Sequence, residues 1–288
     1  MKKTLFLLSV ILCICCSSCK KEKLPIAGNG WQEIAIVDKK SGTIEWRHAL
    51  DKDDECNDIE VMPDGNVLYA YSKGAKLISR KYETIWDYKA KDNEEIHSVT
   101  RLDNGGFMIA VCGEPARIVE LDKDGKQTKE LPFHTVTFDT NKQFRHVAQM
   151  SDGTYVIPLM EKRKIMLLSP EGQNKGSLFI GSELTSVKAL DNGKALVSCS
   201  NGSFLELNPS LRIDSAIITS SIKGGSLLYV AEIIPYENGN KLIANSNMYS
   251  NDKSQSLLIE IDKNNEIVWK LNFNKEIKNI TSVYSFFE

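Results

Sequence analysis

The sequence has few of the residues that usually carry recognisable chemistry. It contains only four histidines, and only three cysteines follow residue 19: Cys56, Cys112 and Cys199. No Cys-x-x-Cys or His-x-x-x-His pair occurs beyond residue 19, so local spacing predicts no metal site, although ligands from separate repeats would show no spacing. No Gly-x-Ser-x-Gly motif indicates a serine hydrolase. We therefore predict no metal and no cofactor, and assign no catalytic residue.

A surplus of one charge and a long apolar run are also missing. The chain carries 36 basic and 38 acidic side chains in alternating order, which argues against a nucleic-acid partner because no basic stripe is present. The apolar run from Leu5 to Cys16 is shorter than the ~20 residues of a membrane-spanning helix. Since Lys2 and Lys3 precede it, the run is typical of a signal peptide.

Two small residues precede Cys19, and Ser17-Ser18-Cys19 resembles the lipobox of bacterial lipoproteins, with Cys16 at the position usually held by Leu. We predict a lipoprotein signal peptide over residues 1–18 and lipid attachment at Cys19; the alternative is an ordinary secretory signal cut nearby. Residues 19–30 are predicted to form a tether, because the charged residues 20–23 and Gly28-Asn29-Gly30 offer little to bury. The expected location is the cell envelope, on the periplasmic side of the outer membrane.

A short phrase recurs along the rest of the chain: an apolar run, an acidic or Asn residue, a Gly, and a β-rich run. Its turn glycines lie 40 to 48 residues apart, at Gly65, Gly105, Gly153, Gly193 and Gly239. A second hairpin phrase alternates with it and ends in Trp at positions 46, 86 and 269. Two hairpins in each period of about 40–45 residues are the signature of a four-stranded propeller blade.

The second phrase occurs six times, and the last copy of the first phrase is cut short at residues 280–288. We predict an all-β, six-bladed β-propeller with four-stranded blades as a single domain over residues 31–288. A seventh blade would need about 40 more residues. The stretch near Gly30-Trp31 is expected to supply outer strands to the blade that the C-terminus begins, so that N- and C-terminal strands close the ring.

Counting back from each turn Gly separates packing positions from polar ones. Residues six before it are Val or Ile in every repeat, which predicts a core column. The positions eight and seven before it, which we name column A and column B, vary between repeats. Column A is Asn57, His97, Arg145, Thr185, Ala231 and Thr281; column B is Asp58, Ser98, His146, Ser186, Glu232 and Ser282. Apolar anchors three apart with two polar residues between them suggest a bulge or a strand entering from the channel mouth.

In a propeller, the first strand of each blade lines the central channel, so these side chains are expected to converge. We predict a ligand-binding site at the channel mouth formed by Asn57, Asp58, His97, Arg145, His146 and Glu232. The cationic members suit an anionic group. Two alternatives stay open: Asp58 and Glu232 balance these cations in an internal salt network, or the columns are the polar lining of a water-filled channel.

The paired phrases, strand-Asp-x-x-Gly-x-Ile-x-Trp and strand-Leu-x-Asn-Gly-strand, resemble those of PQQ-like and arylsulfotransferase-like propellers. With its lipobox, the chain resembles exported propeller lipoproteins of Bacteroidota-type bacteria. In arylsulfotransferases a channel His accepts the sulfate, and His97 and His146 lie in corresponding phrases. The chain lacks the N-terminal β-domain of those enzymes, and beyond residue 19 it lacks the vicinal Cys pair of quinoprotein dehydrogenases.

These observations predict a monomeric, non-enzymatic propeller that binds an envelope protein or a small anionic ligand and is held at the membrane by its N-terminal lipid. The alternative is an enzyme of arylsulfotransferase-like or hydrolase type that uses a channel His. Motifs of this repeat specify the fold and not the activity.

Overall fold

Six antiparallel sheets surround a central channel in the computed structural model, which describes residues 20–28, 30–52, 54–246, 254–277 and 279–288. One sheet has five strands and the other five have four each. The predicted all-β, six-bladed propeller with four-stranded blades is therefore confirmed. Within the described residues, no helix is long and apolar enough to cross a membrane. The predicted signal peptide and Cys19 lie outside these residues.

Strands are numbered in chain order, and blades from the one that closes the ring. Blade 1 holds β1 (Glu22–Ala27), β2 (Glu33–Asp38), β3 (Ile44–Ala49), β24 (Ser282–Val283) and β25 (Phe286–Phe287). Blade 2 holds β4–β7: Cys56–Val61, Val67–Tyr71, Gly74–Ile78 and Thr84–Lys89. Blade 3 holds β8–β11: Glu95–Arg101, Phe107–Cys112, Ala116–Leu121 and Gln127–Phe133. Blade 4 holds β12–β15: Ala148–Gln149, Tyr155–Leu159, Lys164–Leu168 and Asn174–Phe179.

Blade 5 holds β16–β19: Leu184–Ala189, Ala195–Cys199, Ser203–Leu207 and Ile213–Ile217. Blade 6 holds β20–β23: Val230–Pro235, Lys241–Asn245, Ser256–Ile261 and Ile267–Asn272. Two 3-10 helices, Thr140–Lys142 and Thr219–Ser221, lie in loops. The innermost strands β4, β8, β12, β16, β20 and β24 surround the channel.

The Asp/Asn-Gly turns explain the recurring hairpins. Gly65 has a φ of 86°, which a residue with a Cβ rarely adopts, and its N–H donates to the carbonyl of Met62 at 2.8 Å. The Asp64 carboxylate accepts the backbone N–H of Asn66 at 3.0 Å and fixes the other side of the turn. The recurring phrase therefore encodes the hairpin through local bonds alone.

The inner strands carry the predicted bulge at column A. In blades 2, 3, 5 and 6 the register to the second strand shifts across one residue, which is Asn57, His97, Thr185 or Ala231. The column A residue is therefore left unpaired, whereas the column B residue after it pairs with the second strand again.

Ring closure uses more of the N-terminus than the sequence indicated. β1 lies between β24 and β2, and Ala27 pairs with Ser282 while Ile26 pairs with Ala35. The prediction of a tether over residues 19–30 is therefore wrong for Glu22–Ala27, which is a largely buried strand. Lys23 in this strand is buried because its ammonium group forms an ion pair with the carboxylate of Asp38 at 2.8 Å. That ion pair removes the charge argument on which the tether rested.

The repeated tryptophans lie where one blade meets the next. The indole N–H of Trp46 donates to the carbonyl of Arg80 in blade 2 at 3.1 Å, and that of Trp269 donates to Lys39 in blade 1 at 3.1 Å. Trp86 packs under the turn at Gly125 of blade 3. Each Trp thus closes the groove beneath a turn of the following blade.

Candidate functional site in the channel

Two cavities occupy the channel, one at each end of the inner strands. The narrow cavity, of about 80 Å³, is lined by all six members of column A together with His146 and other polar residues. The wide cavity, of about 510 Å³, is lined by Asp58, His146 and Glu232 of column B and by further residues toward the strand ends. Residues from all six blades therefore converge, and His146 faces both cavities.

The structure divides the six residues predicted to form one site. Asn57, His97 and Arg145 surround the narrow cavity, whereas Asp58 and Glu232 line the wide one. His146 lies between the two groups. Asn57 and His97 are the unpaired bulge residues of their strands, whereas Asp58 and Glu232 pair with the second strand of their blades.

Column B joins neighbouring blades. The carboxylate of Asp58 accepts the N–H of Val99 in the next blade at 2.9 Å, and Glu232 accepts that of Val283 at 2.9 Å. The Ser98 hydroxyl accepts the N–H of Val147 at 3.1 Å, and Ser282 accepts that of Ile59 at 3.2 Å. We call this pattern the blade clasp. It gives buried backbone donors an acceptor that their own sheet does not provide.

His146 and Ser186 differ from the rest of this column: Ser186 donates to Ser198 of its own blade at 2.8 Å. At its junction, the backbone carbonyl of His146, and not the side chain, accepts the N–H of Val187 at 3.1 Å. The imidazole therefore has no part in the clasp and extends into the channel. There Nε2 lies 2.9 Å from the carbonyl of Asn57, and Nδ1 lies 3.4 Å from Oε1 of Glu232 without forming a hydrogen bond.

Asp58, His146 and Glu232 form a buried charged cluster, which we call the channel triad. Burial alone would lower the pKa of His146, but the carboxylates of Asp58 and Glu232 outweigh it and raise the pKa to about 9. Burial raises the pKa of Asp58 to about 6 despite the opposing attraction of His146. Burial also acts to raise the pKa of Glu232, but His146 and Lys188 reverse the direction and lower it.

Ser282 links the two carboxylates of the triad. Its hydroxyl oxygen lies 2.9 Å from Oε2 of Glu232 and 3.2 Å from Oδ1 of Asp58. A hydroxyl has one hydrogen to donate, so it donates to one carboxylate at a time and can accept a hydrogen bond from the other only when that group is protonated. The shorter distance assigns that hydrogen to Glu232, and the raised pKa of Asp58 agrees with a carboxyl group that takes up a proton readily.

His97 and Arg145 meet as the column positions predicted, but in an enclosed setting. His97 is 1 % exposed, its Nε2 lies 2.9 Å from Glu95, and the Arg145 guanidinium contacts Nδ1. Burial and then the Arg145 charge lower the pKa of His97, and Nδ1 also lies 3.1 Å from the carbonyl of Phe144. Both nitrogens are thereby occupied.

Sequence reasoning missed the residues that form the wall of the wide cavity. These lie five before each turn Gly, and we name them column C: Glu60, Thr100, Ala148, Lys188, Ile234 and Tyr284. Thr100 donates to Glu60 at 2.6 Å, and the ammonium of Lys188 lies 4.0 Å from the same carboxylate. Burial would lower the pKa of Lys188, but Glu60, Glu232 and Asp58 raise it. The same count from the turn Gly would have found this column.

The wide cavity carries more acidic than basic groups. Its lining includes five carboxylates, namely Asp58, Glu60, Asp103, Asp191 and Glu232, whereas the basic side chains besides His146 are Arg101 and Lys188. Carboxylates on converging walls focus a negative potential. The cavity is thus suited to cationic groups, in contrast to the anionic group expected from His97 and Arg145.

A family comparison places this architecture among known propellers. The profile of the family described as Mal s 1 allergenic protein-like matches residues 23–266. The chain belongs to the Mal s 1-like family. No curated protein matches the sequence.

Two solved structures resemble this Mal s 1-like propeller. One is the crystal structure of a protein of unknown function from Bacteroides caccae, with 31% identity and a TM-score of 0.89 over 92% of this chain and 99% of that chain. The other is streptogramin B lyase, with 12% identity and a TM-score of 0.63 over 93% and 98%. The second likeness shows the shared fold alone.

Proposed function

We propose that this protein is a non-enzymatic binding propeller of the cell envelope, anchored through Cys19 at the periplasmic side of the outer membrane, that takes a small, polar, positively charged ligand. The wide cavity carries the proposal: about 510 Å³ suits a small molecule, and five carboxylates line it. The enzymatic alternative has less support at either candidate sulfate acceptor. His97 has both ring nitrogens occupied, and His146 lies between the carboxylates of Asp58 and Glu232, which would repel a sulfate group.

Thermal unfolding in the presence of small probes tests this proposal. Putrescine and arginine are expected to raise the melting temperature, because a ligand that binds only the native state stabilises it. Inorganic phosphate and sulfate at equal ionic strength are expected to have little effect.

A matched pair of variants locates the site. Glu60→Gln removes a charge from the wide cavity and is expected to weaken the response to putrescine, whereas Arg145→Ala at the narrow cavity is expected to preserve it. If phosphate stabilises the protein and Arg145→Ala removes that response, the ligand is instead an anion that binds at the narrow cavity. A melting temperature that no probe changes would leave the binding proposal without support.

A further inference from the structure

The channel triad has the composition and placement of a metal site. Asp58, His146 and Glu232 each offer one ligand atom, and these atoms all lie within 4.8 Å of one another. The three residues come from blades 2, 4 and 6, so that no spacing in the sequence reveals them. From this convergence we propose that the triad binds one divalent transition-metal ion, of the zinc or manganese type, at the floor of the wide cavity.

The distance between the proposed ligand atoms of His146 and Glu232 fits one shared ion. Nδ1 of His146 and Oε1 of Glu232 are 3.4 Å apart. Two ligand atoms that each lie ~2.1 Å from a tetrahedrally coordinated ion are separated by about this distance. One imidazole with two carboxylates also combines the donor preferred by zinc with the donor preferred by manganese.

The unbonded nitrogen of His146 is an independent observation. His146 is 6 % exposed, and its Nδ1 is buried without a hydrogen-bond partner. Buried polar atoms of this kind are rare and call for a cause such as an ion. Nε2 lies 2.9 Å from the carbonyl of Asn57, which fixes the ring so that Nδ1 faces Glu232, as the second partner of a metal-bound His does.

The other oxygens of the two carboxylates are already held. Oδ2 of Asp58 and Oε2 of Glu232 accept backbone N–H groups in the blade clasp. The clasp therefore orients both carboxylates before an ion arrives. With three protein ligands, the ion would keep open coordination positions on the side of the wide cavity. Oxygen atoms of water or of a ligand in the cavity could occupy these positions. This site goes beyond the proposed function and does not depend on it.

Titration of the untagged protein with Mn²⁺ tests the site. The readout is the electron paramagnetic resonance signal of free Mn²⁺, which decreases as the ion binds. Competition by Zn²⁺ then shows whether zinc occupies the same site. We expect one ion per chain. Glu232→Gln should weaken binding at least tenfold, because its remaining oxygen can still serve the clasp while an amide faces His146. His146→Gln, whose amide can replace Nε2–H, should do the same.

Two control variants separate metal binding by the triad from a loss of the clasp and from binding at the surface. Ser98→Ala removes a clasp acceptor outside the triad and should cost stability without changing the affinity for Mn²⁺. His134→Ala disrupts the exposed pair of His134 and Glu114, which could bind a metal ion at the surface. This variant should still bind one ion per chain.

Absence of Mn²⁺ and Zn²⁺ binding, or binding that persists in both triad variants, would overturn the proposal. In that case the triad is an internal salt network. The response to putrescine is read separately, so either proposal can fail alone.

Discussion

Trp86 and Gly125 meet where blades 2 and 3 touch, and their contact shows how single residues join the blades. A Cβ added to Gly125 would lie 2.8 Å from the Trp86 side chain, closer than real side-chain contacts allow. Gly125 also has a φ of 81°, in the left-handed region that favours glycine. The position is therefore restricted twice, by backbone conformation and by the neighbouring blade.

Gly125→Ala is expected to destabilise the protein by about 2–5 kcal/mol, which combines the left-handed backbone with overpacking against Trp86. Gly105→Ala is the matched control, because Gly105 has a φ of 83° and nothing within 4 Å of its added Cβ. The control should lose only about 1–2 kcal/mol. Chemical denaturation of both variants measures the difference, and equal losses would contradict the packing role of Trp86.

The stability of the protein is expected to fall in weak acid partly through His97. Its pKa is lowered in the native state by burial and by Arg145, whereas in the unfolded chain it returns to ~6.5. Below that pH the unfolded chain binds a proton that the native state does not, so acid favours unfolding. The free energy of unfolding of the wild type should therefore decrease more between pH 7 and pH 5 than that of His97→Gln.

Arg145→Ala provides an internal check on this pH dependence. Removing the guanidinium raises the pKa of His97 toward its ordinary value, so the loss of stability in acid should be smaller than in the wild type. At neutral pH the variant should lose little stability, since Arg145 is only half-buried. Denaturation midpoints at several pH values give both quantities. Parallel pH profiles in the wild type and both variants would contradict the assigned role of His97.

At the scale of elements, the short strand β24 completes blade 1 and also closes the ring. Val283 is buried, its N–H bonds Glu232 of blade 6, and Ser282 bonds Ile59 of blade 2. Removal of residues 281–288 is expected to destabilise the protein by at least about 4 kcal/mol, because apolar burial is lost and Glu232 loses the hydrogen bonds of Ser282 and Val283.

Equilibrium denaturation of the truncated chain measures this loss. Phe287→Ala, which changes a residue that is 56% exposed, serves as the control and should stay within about 0.5 kcal/mol of the wild type. A truncated chain that unfolds at the same denaturant concentration as the wild type would show that β24 does not close the ring.

Most elements follow from the sequence because their turns are local. The Asp64-Gly65 turn forms its hydrogen bonds within its own hairpin, so the turn sequence of each repeat predicts the strands on either side of it. β1 could not be recognised in this way. It contains Pro25 and follows charged residues, and its inner partner Ser282 lies at the other end of the chain. Lys23 is buried because Asp38 and Glu45 pair with it.

The site could be predicted only in part. The repeat register placed His97 and Arg145 together, because equivalent positions of a ring converge. It did not reveal that they line a different cavity from Asp58 and Glu232, nor that four of the six column B side chains accept backbone N–H groups from the next blade. Both features depend on the path of a neighbouring strand, and a single repeat does not contain that information.

At the scale of the whole molecule, the predicted lipid anchor at Cys19 would decide where the protein is located. Cys19 lies outside the residues that the structure describes. Growth with an alkyne fatty acid should label the wild type, while Cys19→Ser should be unlabelled and released from the membrane fraction. Cys16→Ser is the matched control and should keep its label. An unlabelled wild type, or a labelled Cys19→Ser variant, would contradict lipidation at this residue.

The pairing of the two chain ends decides how such an anchor would orient the ring. Lys21 and Glu288 exchange backbone hydrogen bonds of 2.7 and 3.0 Å, and Ser285, at the edge of the wide cavity, donates to Glu22 at 2.8 Å. The chain therefore enters the ring beside the wide opening. Cys19 is two positions before Lys21 in the sequence, a reach of ~7 Å. A lipid there would stand the propeller on the bilayer with its wide opening facing the headgroups, so that a ligand would approach sideways along the membrane surface.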